Sequence, residues 1–235
     1  SADVEALQHD LERALGRYRA AAAALSQCRH AAAAGFAQTV TATTRRLGMG
    51  HAEFAISILH DASARPRPSG DDDVRFDFSA NPGQPPRPLA RVASGGELSR
   101  LSLAIQVSRF AKATQADTNV GTMIFDEVDA GIGGAVAAVV GDQLRALGAR
   151  CHVLCVTHLA QVAAQGQQHF AIRKTIEGGN THTEVLPLTE DARISEIARM
   201  LGGTALTPAT EALARDLLAQ GRHTPVAAPA AKTRN

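Results

Sequence analysis

The sequence predicts an α/β fold in which a long helix precedes a mostly parallel sheet with flanking helices. Two short apolar runs, residues 120–125 and 153–156, are typical of buried strands, and residues 135–147 between them have helical spacing. Strand, helix, strand is the crossover pattern of parallel sheets, so this segment sets the fold class. A helical periodicity at the start of the chain adds the leading helix.

The leading helix is predicted from apolar residues that recur at steps of three and four. These residues are Leu7, Leu11, Leu15, Tyr18, Ala22 and Leu25. Such a seam is typical of a coiled coil, so residues 1–34 are predicted to form a coiled-coil arm segment. An ordinary amphipathic helix packed on its own domain has the same spacing, and it remains the alternative.

Residues 35–220 are predicted to form one lobe. Alternating apolar residues over 54–58 and 74–78 predict two strands. The segment 81–88 carries four prolines and is predicted to be a loop. Apolar residues at helical spacing after Gly96 predict a long helix that begins there.

The last part of the chain is predicted to contain a hairpin, two helices and a tail. Residues 170–174 and 183–188 flank a Gly-Gly pair, which favours a hairpin. Helices are predicted over 191–201 and 208–220. Residues 221–235 are rich in alanine, proline and basic residues without periodicity, and they are predicted to be disordered.

The composition narrows the possible functions. The 24 Lys and Arg nearly cancel the 23 Asp and Glu, so no bulk attraction to nucleic acid or membrane follows. Aromatic residues make up 3% of the chain, which is too few for a protein that binds nucleic acid mainly by base stacking. No signal peptide is evident and no apolar run approaches the ~20 residues of a membrane span. We therefore expect a cytoplasmic protein with no membrane partner.

The first motif with candidate chemistry is Ser94-Gly95-Gly96-Glu97, between the proline-rich loop and the long helix. The first N–H groups of a helix lack intrahelical partners and carry the positive end of the helix dipole. Glycine lets a phosphate approach these groups closely because it has no side chain. The motif therefore predicts a phosphate contact, with a plain helix cap as the alternative.

Two carboxylates, Asp126 and Glu127, follow the apolar run Thr122–Phe125. A strand that is apolar on both faces has no structural reason to end in adjacent acids, whereas Mg²⁺ beside phosphates supplies one. Asp126 is predicted to hold Mg²⁺ through water, because this ion keeps several waters and takes few protein carboxylates. Glu127 is predicted to orient and deprotonate an attacking water. An exposed acidic strand end is the alternative.

His158 follows the second apolar run, at the carboxyl end of a predicted parallel strand. Ligands of α/β sheets bind at this edge, so His158 is predicted to hydrogen-bond a phosphate or the attacking water. A structural histidine is the alternative. Asp129 lies beside the glycine-rich step Gly131–Gly134, which is a candidate contact to a partner subunit.

In this order the motifs resemble the C-terminal lobe of an ABC-type ATPase head. Ser94–Glu97 matches the signature motif, Met123–Glu127 matches Walker B, Val128–Ala130 the D-loop and His158 the switch histidine. The residues around them are similar to the RecN family of SMC-like bacterial proteins of double-strand break repair. The segments that carry this likeness are Asn81–Gln84, Val92–Arg100, Ile124–Ile132 and Cys155–Ala163. The resemblance runs from Arg46 to Gln220.

The resemblance implies ATP and Mg²⁺ as cofactors, with ATP held between two heads. Ser94–Glu97 and Asp129 would contact the nucleotide at a second head in an ATP-dependent dimer. Asp126, Glu127 and His158 would serve the nucleotide of their own head. Hydrolysis would be coupled to dimerisation and to holding DNA, as ends or single-stranded regions, at the bacterial nucleoid. The leading helix would be the returning arm of an antiparallel coiled coil.

The sequence departs from that family pattern in one respect. No G-x-x-x-x-G-K-[ST] loop occurs, and none of the three lysines follows such a glycine frame. An N-terminal Walker A lobe, from the same protein or as a separate chain, is therefore an expected partner, and this chain alone is expected to be inactive. Two other functions remain open: a docking or dimerisation lobe without catalysis, and a metal-dependent hydrolase. The hydrolase would use Asp126, Glu127, Asp129 and His158.

Overall fold

The computed structural model describes residues 2–61, 63, 65–91, 94–112, 121–177, 180–202 and 206–223. The chain divides into two compact units. The first unit comprises Ser1–Ala42 and His51–Val92, and the second comprises Thr43–Gly50 and Ala93–Asn235. The two units are described separately.

The first unit contains most of helix α1 and a small antiparallel sheet. Helix α1 spans Ala2–Arg46, so the helix continues past the predicted end of the arm segment at residue 34. Strand β1 (Glu53–His60) pairs with β2 (Asp72–Ser79), which also pairs with the short strand β3 (Arg87–Pro88). The two strands predicted from alternating apolar residues are therefore confirmed, and the predicted proline-rich loop contributes β3.

Polar side chains of α1 bind the start of β2 inside this unit. The Tyr18 hydroxyl donates to Asp71 Oδ1 at 2.7 Å, and Arg19 donates to the other carboxylate oxygen at 2.7 Å. Arg29 pairs with Asp72 at 3.0 Å, and His60 Nδ1 lies 2.9 Å from the same carboxylate. These hydrogen bonds and ion pairs offset the free-energy cost of burying the two carboxylates.

The predicted coiled-coil seam divides into two parts along α1. Leu7 and Leu11 are 69% and 59% exposed, whereas Ala22 is buried. A Cβ added to Gly70 would lie 3.2 Å from Leu25 Cδ2 and 4.0 Å from the Ala22 Cα, so the β1–β2 connection covers this part of the helix. The exposed part has the apolar spacing of a coiled coil, and its pairing with a second helix remains a prediction.

The second unit is built from helices and two small sheets. Its elements in chain order are α2 (Gly95–Lys112), β4 (Thr122–Phe125), α3 (Gly134–Gly148), β5 (His152–Cys155), α4 (Ala160–Ala163), β6 (Phe170–Glu177), β7 (Asn180–Pro187), α5 (Glu190–Gly202) and α6 (Pro208–His223). Strands β4 and β5 are parallel, with Phe125 opposite Cys155. The α/β class and the strand–helix–strand crossover are therefore confirmed.

The sheets are smaller and more varied than the single, mostly parallel sheet that the sequence predicts. Among the residues with described structure, parallel pairing occurs only between β4 and β5. Strands β6 and β7 form an antiparallel pair of their own, as the predicted hairpin requires. Gly178 and Gly179, which the sequence places between the two predicted strands, lie outside the described residues.

Strands β4 and β5 are covered on one face, and the prediction that they are buried on both faces is wrong for this chain. Phe125 is 5% exposed, but Ile124 next to it is 72% exposed. On β5 and just after it, Leu154 and Val156 are 53% and 52% exposed. Successive side chains of a strand point to opposite faces, so these three residues define one uncovered apolar face.

The C-terminal helices pack around the short helix α4, which the sequence did not predict. Ala160, Ala163 and Ala164 form a core cluster with Ile197, Ala198, Ala214 and Leu218. Helix α6 extends to His223, so residues 221–223 of the predicted disordered tail are helical, and 224–235 lie outside the described residues. No helix in the described part of the chain has both the length and the apolar character needed to cross a membrane.

Candidate functional site

The signature-like motif lies at the first turn of α2. Ser94 precedes the helix, and its carbonyl accepts the Leu98 N–H at 3.0 Å. The Glu97 N–H lies 3.5 Å from Ser94 Oγ, which places the serine at the N-cap. The spacing of Ser94 and Glu97 is that of a capping box. The predicted helix start is confirmed, and its possible contact with phosphate remains a prediction.

The acidic pair follows β4 on a tight turn. Asp126 Oδ1 accepts the Glu127 N–H at 2.9 Å, and the Glu127 carbonyl accepts the Ala130 N–H at 3.1 Å. Val128 is fully buried and anchors the turn, whereas the side chains of Asp126 and Glu127 are exposed. The turn thus presents two carboxylates at the carboxyl end of a parallel strand, where α/β sheets bind ligands.

Glu127 has a strained backbone. Its φ is 57°, a left-handed value, and among the described residues it is the sole non-glycine with positive φ. A side chain in this region costs about 1 kcal/mol or more, because Cβ approaches the following carbonyl oxygen. Glycine would adopt this conformation without that cost. A glutamate at this position therefore lowers the stability of the turn relative to glycine. It also provides a carboxylate at this position.

The structure brings the acidic turn against the start of α2. A Cβ added to Gly95 would lie 2.6 Å from Glu127 Oε2, and one added to Gly96 would lie 2.9 Å from the Ala130 Cβ. A side chain at Gly96 would displace the turn, whereas one at Gly95 would displace the Glu127 carboxylate. Two segments about thirty residues apart in sequence thus form one surface.

Arg100 connects the same two elements, and the sequence analysis assigned it no role. Its side chain is 7% exposed, and its Nη1 donates to the Ala130 carbonyl at 2.6 Å. Burial lowers the pKa of the guanidinium, and the charge of Glu97 partly offsets this effect. Arg100 follows Gly96 by four residues and therefore lies on the same face of α2, a spacing that the sequence does contain.

His158 is tied to the acidic turn through Asp129. The Asp129 side chain is 4% exposed, and its Oδ2 lies 3.1 Å from His158 Nδ1. The same oxygen accepts the His158 backbone N–H at 3.0 Å and the hydroxyl of Thr157. The imidazole itself is 72% exposed. Asp129 therefore makes bonds inside its own chain, whereas the sequence analysis considered it for nucleotide or partner contact.

The side chains near the acidic turn could bind Mg²⁺ only together with ligands from another molecule. Within the described ranges, no group of three or more His, Cys, Asp and Glu side chains converges to hold a metal ion. Asp126 offers an exposed carboxylate, and Mg²⁺ is commonly held by one or two carboxylates together with substrate phosphates. The arrangement is thus compatible with a nucleotide-dependent Mg²⁺ site and gives no support to a free-standing metal-hydrolase centre.

Cys155 lies next to this site, and the pKa of its thiol is raised. Burial, with Asp129 and Asp126 nearby, raises the pKa of Cys155 to about 12. Burial also raises the pKa of Cys151. Both thiols are free, and their raised pKa values favour the protonated form.

The segment after His158 is held by two arginines that the sequence analysis did not single out. Arg193 of α5 donates to the carbonyls of Gly166 at 2.7 Å and Gln167 at 3.3 Å. Arg145 of α3 donates to the Gln165 carbonyl at 3.2 Å. The turn that follows α4 is therefore held from two sides.

The fold and the site together define an α/β protein with a candidate phosphate-handling site at the carboxyl ends of parallel strands. No protein-family model matches the chain. It is 47% identical over 215 residues to the DNA repair protein RecN of Xylella fastidiosa (strain Temecula1), covering 92% of this chain and 38% of that protein. It is 41% identical over 223 residues to RecN of Treponema pallidum, covering 93% and 38%.

A third RecN protein is also similar to this chain. RecN of Vibrio cholerae is 49% identical over 179 residues, covering 76% of this chain and 31% of that protein. The chain belongs to the RecN family. It spans less than two fifths of the length of the relatives it matches, 38% for the Xylella and Treponema proteins.

Solved structures similar to the chain include heads of SMC proteins. The Smc head domain with a coiled coil and joint from Pyrococcus yayanosii has a TM-score of 0.48 and 15% identity, covering 69% of this chain and 28% of that one. A structure described as concerning ATP-driven dimerisation and DNA-stimulated activation of SMC ATPases has a TM-score of 0.44 and 13% identity, covering 72% and 93%.

Proposed function

We propose that this chain is the C-terminal half of an SMC-like ATPase head that acts in DNA double-strand break repair. The observation that carries the proposal is the contact between Glu127, on its strained turn, and Gly95 at the start of α2. Membership of the RecN family supports the proposed repair role and favours ATP hydrolysis as the proposed reaction.

In this proposal the residues of the second unit divide the chemistry among them. Glu127 orients and deprotonates the attacking water, a role typically worth about 10²- to 10⁴-fold in rate. His158 hydrogen-bonds the transferred phosphate or that water. Ser94 and the amides of Gly95 and Gly96 contact a phosphate of the nucleotide at a second head. Asp126 holds Mg²⁺, which neutralises charge on the phosphates when it is bound.

We further propose that a Walker A lobe, in the same protein or as a separate chain, covers the exposed face of β4 and β5. Ile124, Leu154 and Val156 are each more than half exposed on this face. Burying an aliphatic side chain of this size is worth about 1.5–3 kcal/mol, so the face favours a permanent apolar partner. The lobe would also supply the phosphate-binding loop that this sequence does not contain.

The other proposed partners follow from α1 and from the family. The exposed residues Leu7 and Leu11 suit the seam of an antiparallel coiled coil with a second helix. A second head would bind in an ATP-dependent dimer, and DNA ends or single-stranded regions would be the nucleic-acid partner. These functions place the protein in the cytoplasm, at the bacterial nucleoid.

The test is ATP turnover by this chain with and without a separately expressed Walker A lobe, each with and without DNA. Turnover only in the mixture is the expected result. Turnover by this chain alone would contradict the proposal that it is half of a site. Association of the lobes without turnover would favour the second candidate, a docking lobe without catalysis, which the exposed apolar strand face also supports.

Glu127→Gln in the reconstituted head then tests the role of the carboxylate. Nucleotide binding and dimerisation are expected to persist, because glutamine keeps the size of the side chain, while turnover falls by about 10²-fold or more. Glu211→Gln, on α6 and in no part of the proposed site, is the matched control. Equal turnover for Glu127→Gln and the control would remove Glu127 from the mechanism.

A further inference from the structure

One carboxylate oxygen accepts two hydrogen bonds from a short segment and lies beside the imidazole of the same segment. Asp129 Oδ2 accepts the Thr157 hydroxyl, the His158 backbone N–H at 3.0 Å, and lies 3.1 Å from His158 Nδ1. The carboxylate is almost completely buried, at 4% exposure, whereas the His158 side chain is 72% exposed. A buried carboxylate thus fixes one edge of a largely exposed imidazole.

The carboxylate oxygen, 3.1 Å from Nδ1, determines which ring nitrogen carries the proton. An ionised carboxylate only accepts hydrogen bonds, so the nitrogen that faces it must carry the hydrogen. In the neutral ring that nitrogen is Nδ1, which leaves the lone pair on Nε2. The Thr157 hydroxyl accepts the Leu159 N–H at 3.0 Å, so its own hydrogen is directed to Asp129. Each donor in the group therefore has a defined direction.

We infer that Asp129 is a positioning residue that holds His158 in the Nδ1–H tautomer and keeps Nε2 as the nitrogen available to the reaction. This rests on the proposed function, because it deepens the role of His158 at the nucleotide. It also changes the role of Asp129 from a contact with nucleotide or partner to a support for the histidine. The support costs burial of a charge, which two hydrogen bonds and the adjacent imidazole compensate.

The backbone bond gives the arrangement its rigidity. Asp129 binds the His158 main chain as well as its ring, so the end of β5 and the turn after β4 cannot separate without exposing the carboxylate. The turn that carries Asp129 also carries Glu127, two residues earlier. One turn therefore carries both Glu127 and the carboxylate that faces His158.

The ring tautomer is measured directly by long-range ¹H–¹⁵N NMR of the whole chain labelled with ¹⁵N-histidine. Spectra recorded at mildly alkaline pH distinguish the two ring nitrogens, because they have distinct shifts in a neutral imidazole. His158→Gln identifies the His158 signal among the nine histidines. We expect the Nδ1–H form in the wild type and a mixed population in Asp129→Asn, because an amide oxygen is a weaker acceptor.

Thr157→Val is the matched control, because it removes a different donor from the same oxygen. The ring is expected to keep the Nδ1–H form in this variant, since the carboxylate remains. A wild-type ring protonated on Nε2 would overturn the inference. So would a tautomer ratio that is the same in Asp129→Asn and in the wild type. The wild-type spectrum decides even if the Asp129 variant does not fold.

Turnover in the reconstituted head separates this inference from the proposed function. Asp129→Asn is expected to lower kcat by about 10²-fold and to change KM little, because Asp129 acts through His158. An unchanged kcat with an altered tautomer would overturn the positioning role. Absence of turnover in the wild type would instead refute the proposed ATPase, while the tautomer assignment would stand on the NMR result alone.

Discussion

Replacing Gly221 with alanine is expected to lower the free energy of unfolding of the second unit by about 1 kcal/mol. Gly221 is buried on α6, where an added Cβ would lie 2.6 Å from the Ala164 carbonyl oxygen and 3.3 Å from its carbon. Heavy atoms in contact prefer separations of about 3.5 Å, so one of the two backbones must retreat by about 0.9 Å.

The magnitude follows from two opposing effects. Overpacking a well-packed site costs about 1–3 kcal/mol, and here the obstacle is main chain, which cannot change its rotamer. Alanine is also a better helix former than glycine by about 1 kcal/mol, which offsets part of the cost. The net loss corresponds to a fall in Tm of about 2–4 °C for a protein of this size.

Thermal and urea denaturation followed by far-UV circular dichroism measure this change. Gly148→Ala is the matched control, because this glycine also lies in a helix and an added Cβ meets nothing within 4 Å. The control is expected to be neutral or slightly stabilising. If Gly221→Ala were as stable as the control, the packing of α6 against the residue after α4 would be refuted.

Three further predictions test other parts of the chain. Gly95→Ala places a Cβ 2.6 Å from Glu127 Oε2 and is expected to lower turnover of the reconstituted head by about 10²-fold with little change in Tm; unchanged turnover would contradict this contact. Leu101→Ala removes a fully buried side chain of α2 and should cost about 2–5 kcal/mol in urea denaturation, and a loss well below this range would argue against a packed core there. A hydrogen bond from His60 is the main factor that holds the pKa of Asp72 at about 2, so its stabilising contribution is complete above the ordinary carboxyl pKa and disappears as the pH falls from about 4 to 2. Denaturation across this pH range should show a flatter profile for Asp72→Asn, and identical profiles would refute the assignment.

Local signals in the sequence predicted much of the fold. Alternation at residues 54–58 predicted β1, and apolar spacing predicted α2, α5 and α6, because these signals depend only on neighbours within a turn or a pleat. Helix α4 was missed because its four residues, Ala160–Ala163, are too few for a periodicity to be visible. The exposed face of β4 was missed because Ile124 has the same side chain whether or not something covers it.

Local signals in the sequence likewise indicated some parts of the candidate site and not others. The sequence indicated the segments Ser94–Glu97 and Asp126–Glu127, because residue types at a helix start or a strand end have a local chemical meaning. It did not indicate that Glu127 lies against Gly95, or that Arg100 binds the Ala130 carbonyl. Those contacts join residues about thirty positions apart, and their distances depend on how the chain returns to itself.

The sequence by itself therefore determined the α/β class, the order of the elements, the RecN-like motifs and the helix cap at Ser94. The tertiary structure decided that Asp129 is buried and bonded to His158, that Glu127 adopts a left-handed backbone, and that one face of β4 and β5 is uncovered. The physical reason is that periodicity and capping are properties of adjacent residues. Burial and hydrogen-bond partners are properties of the neighbours that folding brings together.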